Sequence, residues 1–137
     1  RAAIEEGVVP GGGVALVRAR AALTDFQLEG DQETGLNIIR KIMAYPTRVI
    51  AENAGLEGAV VLAKIEAGEN GFGLNAATGE YEDLLQSGIV DPTKVVRSAL
   101  QNSASVAGLL LTTESLITEV EEEPKDKDEH HHGHHHH

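Results

Sequence analysis

Asn75 to Glu114 reads NAATGEYEDLLQSGIVDPTKVVRSALQNSASVAGLLLTTE, and this stretch decides the fold. It sets a small-residue turn, a helix-opening signal and a long helix side by side. Asp91-Pro92-Thr93 is the opening signal. An aspartate at the N-cap accepts bonds from orphan amides, and a proline at the first helical position gives up an N–H that has no partner anyway. The helix is expected to run from Pro92 to about Leu111. Ala99, Ser103, Ala107 and Gly108 give it a small-residue face for close contact, and Val96, Leu100, Val106 and Leu110 supply bulk. The Asp91 carboxylate can cap this helix, hold a ligand hydroxyl, or do both with its two oxygens.

Upstream, Phe72–Asn75 and Glu80-Tyr81 read as a hairpin around Thr78-Gly79, and Asp83–Ser87 as a single helical turn closed by Gly88. Leu56–Ala67 predicts a helix carrying Val60, Val61 and Ile65, with Gly68 as its C′ residue. Leu36, Ile38, Ile39, Ile42 and Met43 form the apolar stripe of an earlier helix, which Pro46 interrupts before Thr47–Asn53. Val14–Leu23 reads as a buried helix, after a loop at Gly7–Gly13 and a helix tail at Arg1–Glu6. Thr24–Thr34 is polar and reads as a surface connection. Downstream, Ser115–Val120 reads as a short strand with no local partner. Glu121–His137 is acidic and then histidine-rich, a composition that predicts disorder.

The chain has 137 residues, a net charge of −11, and neither cysteine nor tryptophan. Without cysteine there is no disulfide framework and no thiolate metal site. No apolar run reaches the roughly 18 residues of a membrane span, and no signal peptide is visible, so a cytoplasmic location is expected. The acidic surface argues against nucleic-acid binding, and no basic amphipathic helix suggests a membrane partner. Arg1 to Glu6 reads like the interior of a helix, as if the chain were cut from a longer protein.

Each candidate site has an ordinary structural reading beside the functional one. Gly11-Gly12-Gly13 before a helix can receive an anion on open amides or can simply be a flexible loop. Asn75-Ala76-Ala77 permits flat contact with a base, or makes a tight hairpin turn. All seven histidines lie at His130–His132 and His134–His137, so histidine acid–base chemistry in the body of the chain is excluded. Those clusters read as a purification tag or as a natural tail that binds nickel, copper or zinc loosely. No preorganised metal centre is expected from them.

Val8-Val9-Pro10-Gly11-Gly12-Gly13-Val14-Ala15-Leu16, Asn75-Ala76-Ala77-Thr78 and Asp91-Pro92-Thr93-Lys94-Val95 stand in this order. Arg97-Ser98-Ala99-Leu100-Gln101-Asn102 and Thr112-Thr113-Glu114 follow. Together they resemble the C-terminal part of the equatorial domain of group I chaperonins, the bacterial GroEL type, from Arg1 to about Val120. The resemblance implies a mainly α-helical bundle with a small β-hairpin and a C-terminal strand over residues 1–120, followed by a tail over 121–137. It also implies an ATP-driven folding machine whose subunits form rings closed by a GroES-type co-chaperonin lid around unfolded client proteins.

By the same resemblance, Gly12 contacts the nucleotide through its backbone, and Asn75, Ala76 and Ala77 surround the adenine. Ile89 is an apolar contact to the base, and Asp91 binds the ribose hydroxyls. Ser115–Thr118 matches a strand that pairs with a neighbouring subunit, and Arg48 and Glu57 match positions between rings. ATP or ADP is the implied cofactor, with Mg2+ and K+ in the full-length protein. The Gly-Asp-Gly-Thr-Thr phosphate loop and the aspartate that positions water are not found here, so no residue of this stretch is assigned a catalytic role and no ATP hydrolysis is expected from it alone. The His-rich tail resembles those of some actinobacterial paralogues. The alternative reading is a stand-alone helical module that presents this tail for interaction or metal sequestration.

Overall fold

The computed structural model describes residues 1–115, 117 and 118. Helices dominate: α1 (Ala2–Glu6), α2 (Val14–Ala19), α3 (Asp31–Met43), α4 (Tyr45–Asn53), α5 (Gly58–Ala67) and α6 (Thr93–Thr112). Four short strands make two antiparallel pairs. One joins β1 (Val8–Pro10) to β4 (Val90–Pro92), the other β2 (Phe72–Asn75) to β3 (Glu80–Asp83).

The core is small. Val14 and Val17 of α2 meet Ala51 of α4, Val61 and Ile65 of α5, Leu74 of β2 and Leu84. The hairpin adds a stacked Phe72–Tyr81 pair, with ring centroids 5.8 Å apart, and Lys64 of α5 sits over the Tyr81 ring. Aromatic stacking and a cation over a ring face each add modest stability beyond buried area.

Several expected elements form as read. The hairpin turns around Thr78-Gly79, in register Phe72↔Asp83 to Asn75↔Glu80. The turn after it closes with the Ser87 amide donating to the Asp83 carbonyl at 3.0 Å, while the Asp83 carboxylate accepts from the Leu85 and Gln86 amides. Pro46 falls in the first turn of α4, where the missing N–H costs nothing.

Other expectations change. Gly7–Gly13 is not all loop, because Val8–Pro10 pairs with Val90–Pro92. Val14–Leu23 is not one α-helix, since it tightens to a 3₁₀ turn at Arg20–Leu23. The polar connection ends early, at the start of α3 on Asp31. Gly68 closes α5 in an extended rather than a left-handed conformation. It is needed for space, since a Cβ there would lie 2.2 Å from the Phe72 ring. Of the stripe on α3 only Met43 is buried, and Ile38, Ile39 and Ile42 remain exposed. Helix α6 buries none of its residues, and Ala99, Ser103, Ala107 and Gly108 of its small-residue face are exposed. Of the expected C-terminal strand, Ser115, Ile117 and Thr118 take no strand conformation, and Leu116, Glu119 and Val120 lie outside the described residues. A strand takes its conformation from ladder pairing along several residues. The tail from Glu121 also lies outside them.

Candidate functional site

The β1–β4 ladder builds the site. Val9 stands opposite Asp91 and Pro10 opposite Val90, and the pairing continues through the Gly11 amide, which donates to the Ile89 carbonyl at 2.9 Å. At the other end the Thr93 amide donates to the Gly7 carbonyl at 3.1 Å. Segments remote in sequence are thereby locked side by side, with Gly12 and Gly13 beside Asp91.

Gly12 and Gly13 both have left-handed φ, 64° and 77°. Their carbonyls and neighbours are held in place: the Thr47 hydroxyl, almost fully buried, donates to the Gly12 carbonyl at 3.1 Å. A Cβ on Gly13 would lie 2.6 Å from that hydroxyl, so the glycine lets the loop press onto α4. Among the described residues, the amides of Gly12 and Gly13 donate to no protein acceptor. These two N–H groups are free for a ligand.

Asp91 differs from its sequence reading. It lies in β4, and the N-cap of α6 is Pro92, with no side-chain capping bond. Pairing with Val9 holds Asp91 in the ladder, one position before the residue that caps. Its half-buried carboxylate makes no hydrogen bond or ion pair among the described residues. Asp91, Gly12 and Gly13 line one end of an open groove of about 560 Å3. Apart from Ser103 the rest of that groove is apolar, with Leu16, Ile42 and Ile50 facing Val95, Val96 and Leu100 of α6.

The remaining candidate residues lie on the far side of the glycine loop. Asn75 is half-buried and already engaged. Its Nδ2 donates to Glu82 at 2.7 Å, and its Oδ1 accepts from the Ala77 amide at 3.1 Å. The ordinary turn reading is therefore present in full. Ala76 and Ala77 are exposed on that turn. Ile89 packs against the core and receives the Gly11 amide. None of these four lines the groove. The link between the two sides is Gly12, where an added Cβ would lie 3.9 Å from the Leu74 carbonyl oxygen just before Asn75.

A sequence model of the TCP-1/cpn60 chaperonin family matches residues 1–121. The chain belongs to that family. Among solved structures, this chaperonin chain is similar to a group III chaperonin in the open state. The identity is 32% and the TM-score 0.77, over 85% of this chain and 25% of that one. It also shares its fold with an open-state group II chaperonin monomer from Methanococcoides burtonii, at 23% identity and a TM-score of 0.72. That match covers 77% of this chain and 28% of the other. This chaperonin chain thus spans about a quarter of the length of these relatives.

Two residues that matter to the site were not singled out in the chaperonin sequence. Thr47 orients the glycine loop, and its signal is only that of a small hydroxyl residue directly after Pro46. Glu82 holds Asn75, and the Ser87 hydroxyl donates to its other oxygen at 2.5 Å. The bond from Ser87, and then that from Asn75, keep the Glu82 carboxyl below the ordinary carboxylate range against an opposing desolvation. Arg48 pairs with Glu52 within its own helix at 3.7 Å, while Glu57 stands at the N-cap of α5. No metal-holding cluster of His, Asp and Glu occurs among the described residues, and the histidines of the tail lie outside them. No helix among the described residues is long and apolar enough to cross a membrane.

Proposed function

We propose that this chain supplies the base-and-ribose side of an ATP or ADP site in a group I, GroEL-type chaperonin that assists protein folding. One observation carries the reading. Asp91, whose carboxylate has no protein partner among the described residues, lines the same groove as two glycines whose amides are free there. Those donors and acceptors fit a nucleotide: a ribose diol can donate to the Asp91 oxygens, and the Gly12 amide can donate to the nucleotide's oxygens. The nucleotide brings the phosphoryl group; the residues here bind and orient it. Asn75, Ala76, Ala77 and Ile89 would form the base side across the loop, which requires Asn75 to exchange its turn bonds for contacts with the adenine.

The group I assignment rests on the ordered motifs, with residues 1–120 as the equatorial segment and 121–137 as a separate tail. Ring partners, a GroES-type lid, client proteins, Mg2+, K+ and a cytoplasmic location follow from that assignment. The exposed faces of α3 and α6 support an assembly role, since exposed apolar surface of this kind marks contacts.

The test is Asp91→Ala in the full-length protein, with ADP affinity measured by calorimetry. Loss of charge-assisted bonds to the ribose should weaken binding by about 1.5–3 kcal/mol. Because Asp91 caps nothing, stability should stay within about 0.5 kcal/mol of the parent. Unchanged affinity would remove Asp91 from the site.

A further inference from the structure

Glu69-Asn70-Gly71-Phe72 makes the tight turn between α5 and β2, closed by the Phe72 amide donating to the Glu69 carbonyl at 3.0 Å. Asn70 has a φ of 48°, the one positive value at a non-glycine position among the described residues, whereas Gly71 has none. Positive φ at the first central residue and not at the second is the φ pattern of a type II′ turn, whose ideal first position has ψ of about −120°, the mirror image of type II. Glycine usually stands there. At that ψ the next residue's nitrogen lies on the same side of the Cα–C bond as Cβ. In a turn of that form, rotation about the Asn70 Cα–Cβ bond can bring the carboxamide carbon to the Gly71 nitrogen, as closure of a five-membered ring requires.

Three further features favour that closure. Asn70 is exposed, and its carboxamide makes no hydrogen bond among the described residues. The Gly71 amide likewise donates to nothing there, so no bond must break before it reacts. Arg18 Nε donates to the Asn70 carbonyl at 3.1 Å, and its Nη2 to the Phe72 carbonyl at 3.3 Å. A cation on the Asn70 oxygen stabilises the negative charge that develops there when the Gly71 N–H is lost.

We propose that Asn70 is a site of spontaneous deamidation, held by its turn for ring closure with Gly71 and assisted by Arg18. The Gly71 amide loses its proton to a solvent base, and its nitrogen bonds to the Asn70 Cγ. The Cγ–Nδ2 bond breaks, and Nδ2 leaves as ammonia with a proton from solvent. Water then opens one of the two carbonyls of the succinimide, leaving aspartate or isoaspartate at position 70. The sum is one water consumed and one ammonia released, with no change of oxidation state. Glycine at 71 brings no Cβ to obstruct the attack. Asn37, Asn53, Asn75 and Asn102 precede isoleucine, alanine, alanine and serine, and three of them lie in helices. The product adds a carboxylate beside Glu69 and Arg18, and the isoaspartate form lengthens the main chain by one methylene just before β2.

The full-length protein is incubated at neutral pH, folded and in urea, and each asparagine is followed by peptide-mapping mass spectrometry. Isoaspartate is counted with an isoaspartyl methyltransferase. In the folded protein Asn70 should react about tenfold faster than any other asparagine, a barrier lower by about 1.4 kcal/mol. It should also react faster folded than in urea, and Arg18→Gln should slow the folded rate alone. A folded rate at or below the urea rate, or equal to those of the other asparagines, overturns the proposal. An Arg18→Gln rate equal to the parent's removes the arginine from it.

Discussion

A methyl group added at Gly13 would lie 2.6 Å from the Thr47 hydroxyl and 2.8 Å from its amide nitrogen, on a backbone already at φ 77°. At Gly12 the same methyl would meet the Leu84 side chain at 3.6 Å and the Leu74 carbonyl oxygen at 3.9 Å, both ordinary contacts. Gly12→Ala should therefore cost only the left-handed backbone term, about 1–2 kcal/mol. Gly13→Ala adds a clash with α4 and should cost more than about 2 kcal/mol, by the same backbone term plus overpacking. Urea unfolding of the two variants in the full-length protein gives the order, and equal losses would mean that the loop does not press on Thr47. Asp91 shows the limit of reading at this scale. Asp-Pro-Thr is a sound opening for a helix, and a helix does open there. Whether the aspartate caps it depends on a strand that Asp91 also belongs to, and local spacing carries no trace of that competition.

Helix α1 is held to α6 by charge rather than by burial. Arg97 donates to both oxygens of Glu6, at 2.6 and 3.0 Å, and Lys94 pairs with Glu5. The bond from Arg97 keeps the Glu6 carboxyl below its ordinary range, and Glu6 raises Arg97 in return. A carboxyl lowered in the folded state contributes stability that is present above its unfolded value and is lost as pH falls through its folded one. Amide protection in α1, taken relative to the intrinsic exchange rate at each pH, should thus fall in acid and in high salt, while that of α5, which rests on buried Val61 and Ile65, should hold. Protection in α1 that persists in acid would show that the ion pairs are ornamental. The helices were legible because apolar spacing and the Pro and Gly punctuation are local signals. The β1–β4 pairing was not, since Val-Val-Pro and Val-Asp-Pro are too short to alternate and Pro10 and Pro92 both discourage a strand.

Over the whole molecule, apolar side chains outnumber the places this chain has to bury them. Ile42 and Ile50 stand open across the groove from Leu100, and Val106, Leu109 and Leu111 further along α6 touch no core. The chain on its own should self-associate or bind a hydrophobic dye in sedimentation and fluorescence assays, and the full-length protein should do so much less. Equal dye binding by both would place these faces at the surface of the assembled molecule. The small-residue stripe on α6 was read as a contact face, and it stands exposed among the described residues. The candidate site divides along similar lines. The resemblance located Gly12 and Asp91, which the structure brings into one groove, whereas the engagement of Asn75 with Glu82 needed coordinates.

The β1–β4 ladder also sets an order of events. In sequence Val9 and Asp91 are separated by α2 to α5 and the hairpin, so their pairing closes a long loop whose entropy must be met before any contact repays it. The glycine amides and the aspartate consequently become neighbours only at that closing step. A molecule bridging them can bind the closed form and not the open one, and by mass action it would act as a latch on the last stage of folding.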